Sequence, residues 1–208
     1  MQIHPISEWT DEYVLEEVRK LRVGYQLKRT LRYNTKRDFT VHNESVAEHV
    51  FALDYLGDYF LLLEDPKGEL DYRRLSRILR YHDFPEIPDG DIPYLWKTEA
   101  DEERERLAAV EVFGSLPQLI GETAHASWVA YEKRECPEAR FAYALDKIEP
   151  MFELFDPVNE KSCMRLRQTY ESHIGKKLTA TETFPYMRRF VEVMSADMRQ
   201  RGVFWQET

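Results

Sequence analysis

At 208 residues, with 43% hydrophobic and 32% charged side chains, the chain can bury a core without disulfide or zinc staples, which excludes disordered, collagenous and membrane-spanning classes. A formal net charge of −9 argues against wrapping long nucleic acid, which needs a dense basic patch to neutralise phosphates. No apolar run is long enough to cross a bilayer, and Met1 to Trp9 lack a basic flank and apolar stretch of signal type, so the expected address is cytoplasmic with no membrane partner.

Apolar spacing follows the helical period nearly throughout, and the expected fold is all-α, one unit over residues 1–208. Val14, Leu15, Val18 and Leu21 form the inner stripe of a first helix, and residues 22–43 read as a polar connection. That connection holds the one obvious basic stretch, Lys28, Arg29, Arg32, Lys36 and Arg37, which suits either a small anion or a solvated surface. Ser45 and Glu48 form a capping box for a second helix, whose Val46, Val50, Leu53, Gly57 and Phe60 recur inward up to the Glu64-Asp65-Pro66 stop. A third helix opens at Asp71, turns Leu75, Ile78 and Leu79 inward and ends near Asp83, because Pro85 and Pro88 cannot continue it.

Residues 85–93 then read as a loop, and Thr98 caps a charged fourth helix with Leu107, Val110 and Phe113 expected to face inward. Pro117 opens a fifth helix running to Glu135, and Pro137 a sixth, with Phe141, Leu145, Ile148, Phe152 and Phe155 as its buried stripe. Pro150 lies inside that pattern and deprives the Asp146 carbonyl of its donor, so a kink is expected there. Two more amphipathic segments follow, at 158–174 and 185–201, with Gly202 as the stop. Cys136 and Cys163 lack CxxC spacing and read as reduced thiols.

The chemistry-bearing types gather in the middle of the chain. His82 and Asp83 are adjacent at a helix end, Glu86 and Asp91 follow in the proline-rich loop, His49 lies early on a capped helix, and Asp146 lies beside a buried stripe. Two imidazoles and two carboxylates suit a six-coordinate divalent ion, and helices supply such a set only by converging, since each offers one residue per turn to a given line. Spacing alone favours a salt bridge to Lys147 or Arg140 for Asp146, and a satisfied core histidine for His49. His125, His42 and His173 have no companions at ligand spacing, and the acidic run from Glu99 to Glu105 reads as a solvated helix face.

Taken together, Glu44-Ser45-Val46-Ala47-Glu48-His49, His82-Asp83-Phe84-Pro85-Glu86 with Gly90-Asp91-Ile92-Pro93, and Cys136-Pro137-Glu138-Ala139-Arg140 leading into Leu145-Asp146-Lys147-Ile148-Glu149 resemble the HD-domain phosphohydrolases. Within them the pattern is similar to the 5'-deoxynucleotidases of bacteria and their eukaryotic relatives. The likeness runs over about residues 21–155, and the C-terminal helices at 158–202 add nothing specific to it.

The resemblance implies an HD-type helical bundle, hydrolysis of (deoxy)ribonucleoside 5'-monophosphates, and a homodimer. It also implies one divalent ion held by His49, His82, Asp83 and Asp146, for which cobalt, manganese, magnesium, iron, nickel and zinc are all chemically compatible. It makes Glu86 and Asp91 the catalytic carboxylates. Substrate contacts fall on Arg32 and Tyr33, where the bacterial pattern has tryptophan for the tyrosine and a shorter spacing to His49, with Arg29 as the other candidate arginine. Tyr94 and Lys97 also stand where they could reach substrate. Two alternatives remain: an HD-type hydrolase of nucleotide polyphosphates or cyclic nucleotides, and a nucleotide-binding module without turnover.

Overall fold

The computed structural model of the protein describes Thr30 and residues 44–94, 96–155 and 159–206. The expected first helix, the basic stretch, Arg29, Arg32, Tyr33 and His42 lie outside the described residues. Those described form eight α-helices and one 3-10 turn, with no strand among them.

Helix α1 (Val46–Glu64) begins at the expected capping box: the Glu48 N–H donates to Ser45 Oγ at 3.2 Å and the Ser45 N–H to Glu48 Oε2 at 2.7 Å. It buries Val46, His49, Leu53, Leu56, Gly57 and Phe60, so the histidine lies on the core face, not the solvent face. Helix α2 (Tyr72–Tyr81) is capped by Asp71, whose carboxylate accepts from the Arg74 N–H at 3.2 Å. Its last turn delivers His82 and Asp83, after which Phe84–Glu86 makes a 3-10 turn with Pro85 near its start.

Helix α3 (Glu99–Gly114) starts at a second capping box, Thr98 with Asp101. Its inward face differs from the expected one. Leu107 and Val110 are 63% and 66% exposed, and the buried residues are Ala108, Ala109, Val112 and Phe113. The reason is which side meets the rest of the core: Ala109, Val112 and Phe113 pack with Val46, Phe84 and Trp128. Helix α4 (Gln118–Lys133) follows after a tight corner where a Cβ on Gly121 would stand 2.8 Å from the Phe113 carbonyl oxygen, so the position needs glycine. Arg134 ends α4 in the left-handed region at φ 54°, one residue short of the expected Glu135.

Helix α5 (Pro137–Glu153) packs against α1, α2 and α4 and carries the core residues Phe141, Leu145, Ile148 and Met151. It runs on through Pro150 for one further turn, so Phe155 falls beyond its end and is 45% exposed instead of completing the stripe. The expected single helix over 158–174 is two: α6 (Lys161–Arg165) and α7 (Tyr170–Ala180). Arg167 at φ 52° breaks the path, and Thr169 caps the new helix by accepting from the Ser172 N–H at 3.1 Å. Helix α8 (Pro185–Gln200) ends before Gly202, whose φ of +72° is the left-handed stop expected of it. Both α7 and α8 pack on α5, and α8 also on α1.

The main core joins Leu53, Phe60, Leu75, Ile78, Phe141, Leu145, Met187 and Val191, each burial contributing about 1.5–3 kcal/mol. A second cluster joins Val46, Phe84, Val112, Phe113 and Trp128. The two clusters meet along α1 and α2, around His49 and His82. Cys136 and Cys163 are free thiols, as expected. No helix among the described residues is long and apolar enough to cross a membrane.

Candidate metal centre and its cavity

The capping box fixes the start of α1 and thereby the direction of His49, one turn inside the helix. Its Nε2 lies 3.1 Å from Asp146 Oδ1 and 3.7 Å from Asp83 Oδ2. The proline-enforced end of α2 brings His82 beside it, with the two rings 5.7 Å apart. His82 Nε2 lies 3.1 Å from Asp83 Oδ1 and 3.7 Å from the same Asp146 Oδ1. Four residues from three different parts of the chain therefore turn two imidazole nitrogens and two carboxylates toward a common point, and both rings are fully buried.

The other ring nitrogens decide what that point can hold. His49 Nδ1 stands 2.6 Å from Glu149 Oε2, and His82 Nδ1 stands 2.8 Å from the Leu79 carbonyl oxygen. A carbonyl can only accept, so His82 donates from Nδ1, and Nε2 is the atom it turns to the carboxylates. That Nε2 is buried and has no hydrogen-bond partner. A cation among the four groups would take the Nε2 lone pair and offset the carboxylate charge. The donor set, His49, His82, Asp83 and Asp146, thus fits a divalent ion, with Glu149 and the Leu79 carbonyl orienting the rings from behind.

Asp146 uses its two oxygens differently. Oδ1 faces the histidines, while Oδ2 accepts from Tyr131 Oη and from Lys147 Nζ, both at 2.5 Å. The salt bridge to Lys147 and the place among the imidazoles are therefore compatible, not alternatives. Burial pushes the Asp146 carboxyl up, but Lys147, His49 and His82 outweigh it and hold the group well below the usual carboxylate range. Burial and the adjacent Asp146 push the Tyr131 phenol well above its ordinary value, so it remains a proton donor to that carboxylate.

His82, Asp83 and Asp146 open onto a cavity of about 400 Å³. Glu86, Asp91, Tyr94 and Lys97 all line it, so the structure brings these four candidates to the site. Lys97 is ion-paired with Glu105, which outweighs burial and raises its pKa. The Tyr94 hydroxyl donates to the Ser172 carbonyl at 2.8 Å and accepts from Gln168 Nε2 at 3.1 Å, so the ring, not the hydroxyl, is what it offers the cavity. His125 stacks on Phe113 and on Trp128, with ring centroids 5.6 and 5.9 Å away, and does not line the cavity.

Several lining or supporting residues carried no assignment from the sequence. Glu149 follows Asp146 by one helical turn, and that i, i+3 spacing of two buried carboxylates was its available signal. Tyr131, Arg134, Lys176 and Lys177 gave none. The C-terminal helices, which looked unspecific, contribute the last two to the cavity wall.

Comparison with known proteins agrees with this geometry. The family profile described as the HD domain matches residues 25–186. The 5'-deoxynucleotidase HDDC2 of Homo sapiens is 27% identical over 159 residues, covering 75% of this chain and 76% of the relative. The 5'-deoxynucleotidase YGK1 of Saccharomyces cerevisiae is 29% identical over 119 residues, covering 54% and 53%. A crystal structure from Magnetospirillum magnetotacticum MS-1, described as a predicted metal-dependent phosphohydrolase, superposes with a TM-score of 0.75 at 28% identity, covering 93% of this chain and 98% of that one. Because the profile runs across every helix that supplies the converging side chains, the chain belongs to the HD-domain family of metal-dependent phosphohydrolases.

Proposed function

We propose that this protein hydrolyses (deoxy)ribonucleoside 5'-monophosphates to the nucleoside and inorganic phosphate, with one divalent ion held by His49, His82, Asp83 and Asp146. The observation that carries the reading is the pair of Nε2 atoms turned toward Asp83 and Asp146, one of them buried without a hydrogen-bond partner. Relatives named 5'-deoxynucleotidases support the substrate class. When bound, the ion supplies positive charge that polarises a phosphoryl oxygen and eases deprotonation of water.

The chain's own groups do the rest. Asp83, 18% exposed at its side chain, is the more open of the two aspartates and faces the cavity, while Asp146 and both histidines stay buried. Glu86 and Asp91 bring carboxylates from the proline-rich loop, one to take a proton from the attacking water and one to return a proton to the departing 5'-oxygen. Water oxygen bonds to phosphorus, the phosphorus–sugar oxygen bond breaks, and the proton count closes on the nucleoside. Enclosure in a cavity keeps these charges in a medium where they act more strongly than in bulk water. Homodimer assembly and a cytoplasmic address belong to the same reading, and sedimentation at micromolar concentration tests the first.

Phosphate release from a panel of nucleoside monophosphates, with cobalt, manganese or magnesium added, tests the activity. We expect turnover of monophosphates that Asp83→Ala lowers by about a thousandfold or more, in the range seen when a catalytic site loses its electrophilic charge. Pyrophosphate or a linear nucleotide as product would point to a polyphosphate or cyclic substrate instead, and tight binding without any product to a module that does not catalyse.

A further inference from the structure

Helix α7 brings an unbalanced charge to the cavity. His173 and Lys177 are one turn apart on its inner face and both are buried, Lys177 to 5% exposure. A buried ammonium is costly unless a counter-charge or several acceptors compensate it. Lys177 has little of either. Its Nζ donates one proton to the His173 carbonyl at 3.1 Å and lies 6.0 Å from the Tyr94 ring centroid, and no described carboxylate pairs with it. An ammonium carries three protons, so two are left over on a side chain that lines the cavity.

Lys176, next in the chain and at the exposed rim, stands 5.0 Å over the same Tyr94 ring and likewise has no described ion-pair partner. Tyr94 is itself braced from below, since its hydroxyl is tied to the Ser172 carbonyl of α7 and to Gln168. The ring therefore holds both ammonium groups in register with the helix. Arg134 and Lys147 add two more cations to the lining, but Lys147 is already engaged by Asp146 and Arg134 lies over the Tyr143 ring at 4.5 Å. Among the described residues, Arg134, Lys176 and Lys177 are the lining cations with no carboxylate partner, and of these only Lys177 is buried.

We propose that Lys176 and Lys177 form an anion-binding subsite that grips the phosphoryl group of the substrate from the α7 side of the cavity. The proposal rests on the monophosphate reading above and adds residues to it from a part of the chain that carries no HD motif. Lysine is a point-charge ligand for phosphate, and Lys176 together with the protonated form of Lys177 puts two ammonium groups on one wall, matching the charge of a phosphomonoester. Lys177 supplies the deep, desolvated contact and Lys176 the outer one. Both are binding residues, and neither needs to exchange a proton with the reacting atoms.

Titration calorimetry of inorganic phosphate into the metal-loaded full chain tests this directly, alongside steady-state kinetics on a monophosphate. Lys177→Met keeps the aliphatic stem and removes the charge, and Lys176→Ala removes the rim cation. We expect each to weaken phosphate binding about tenfold or more, the size of a lost charge-assisted hydrogen bond, with KM rising further than kcat falls. Lys177→Arg, which keeps the charge, should recover most of the affinity and guards against misreading a folding defect in Lys177→Met. Phosphate bound by the double variant as tightly as by the wild type overturns the subsite. Lysine-dependent phosphate binding without turnover of any monophosphate supports the subsite and sinks the monophosphate reading, whereas turnover with phosphate affinity indifferent to both lysines does the reverse.

Discussion

The two sides of the cavity are built in opposite ways. On the α1–α2–α5 side, two buried imidazoles and two carboxylates crowd together: His82 Nε2 has no hydrogen-bond partner, and Asp83 and Asp146 both face imidazole nitrogens. On the α7 side, Lys176 and Lys177 present positive charge with no described carboxylate paired to it. The two sides are uncompensated in opposite senses, the first calling for a cation and the second for an anion. A phosphoryl group in this cavity would meet the lysines on one side and, on the other, the residues that would hold a divalent ion.

The sides also differ in how they are held. Around the histidines, a surrounding layer of partners fixes every ring: Glu149 and the Leu79 carbonyl on the Nδ1 atoms, Tyr131 and Lys147 on the far oxygen of Asp146. Glu149→Gln tests whether that layer matters. It preserves shape but exchanges the carboxylate against His49 for an amide, leaving the imidazole less basic. We expect metal affinity to fall by about 10–100-fold, the usual effect of losing a partner that orients a ligand, while melting of the metal-free protein changes little. Competition against a fluorescent chelator reads the affinity. An unchanged value would mean that His49 is oriented by packing in the helix alone, and the contrast between a braced side and an unbraced one would weaken.

How far these two sides could be read from the chain follows from the same contrast. Ser45 with Glu48, and Pro85 with Pro88, are local signals that fix where helices start and stop, so α1, α2 and their histidines were legible to within a residue. The family pattern around His49, His82-Asp83 and Asp146 then joined residues that spacing alone left ambiguous. Lys176-Lys177 carries no such signal. Two lysines on an amphipathic helix look like solvent-facing charge, and only the tertiary packing of α7 on α5 turns one of them inward. The inner face of α3 was misread for a related reason. Hydrophobic size pointed to Leu107 and Val110, but the side that meets Val46, Phe84 and Trp128 carries Ala109, Val112 and Phe113, and periodicity does not encode which side that is. The break at Arg167 was hidden because a left-handed arginine has no sequence signature comparable to glycine.

A smaller effect sharpens the comparison from the lysine side, through stability. Burial first, then Lys147 and Lys176, pull the Lys177 pKa down from 10.5 to about 7, while Cys163 and Asp146 act against the shift. Below pH 7 both the folded and unfolded chains carry the proton on this side chain, and the folded state bears the whole cost of a desolvated ammonium. Between pH 7 and 10.5 the folded state has shed the proton and the unfolded state still binds it, so this group's contribution to stability improves as pH rises through that window. Lys177→Met removes the cost at every pH. It should therefore stabilise the fold at pH 6 by about 1 kcal/mol once the lost contacts to the His173 carbonyl and Tyr94 are set against the gain, read as a higher melting temperature, and the advantage should shrink toward pH 9. Phosphate added at pH 6 should stabilise the wild type and leave the variant nearly unmoved, since only the wild type gains a counter-ion by binding it. A variant less stable than the wild type at pH 6, with no response of either to phosphate, would mean that Lys177 is compensated inside the fold and that the α7 side is not waiting for an anion.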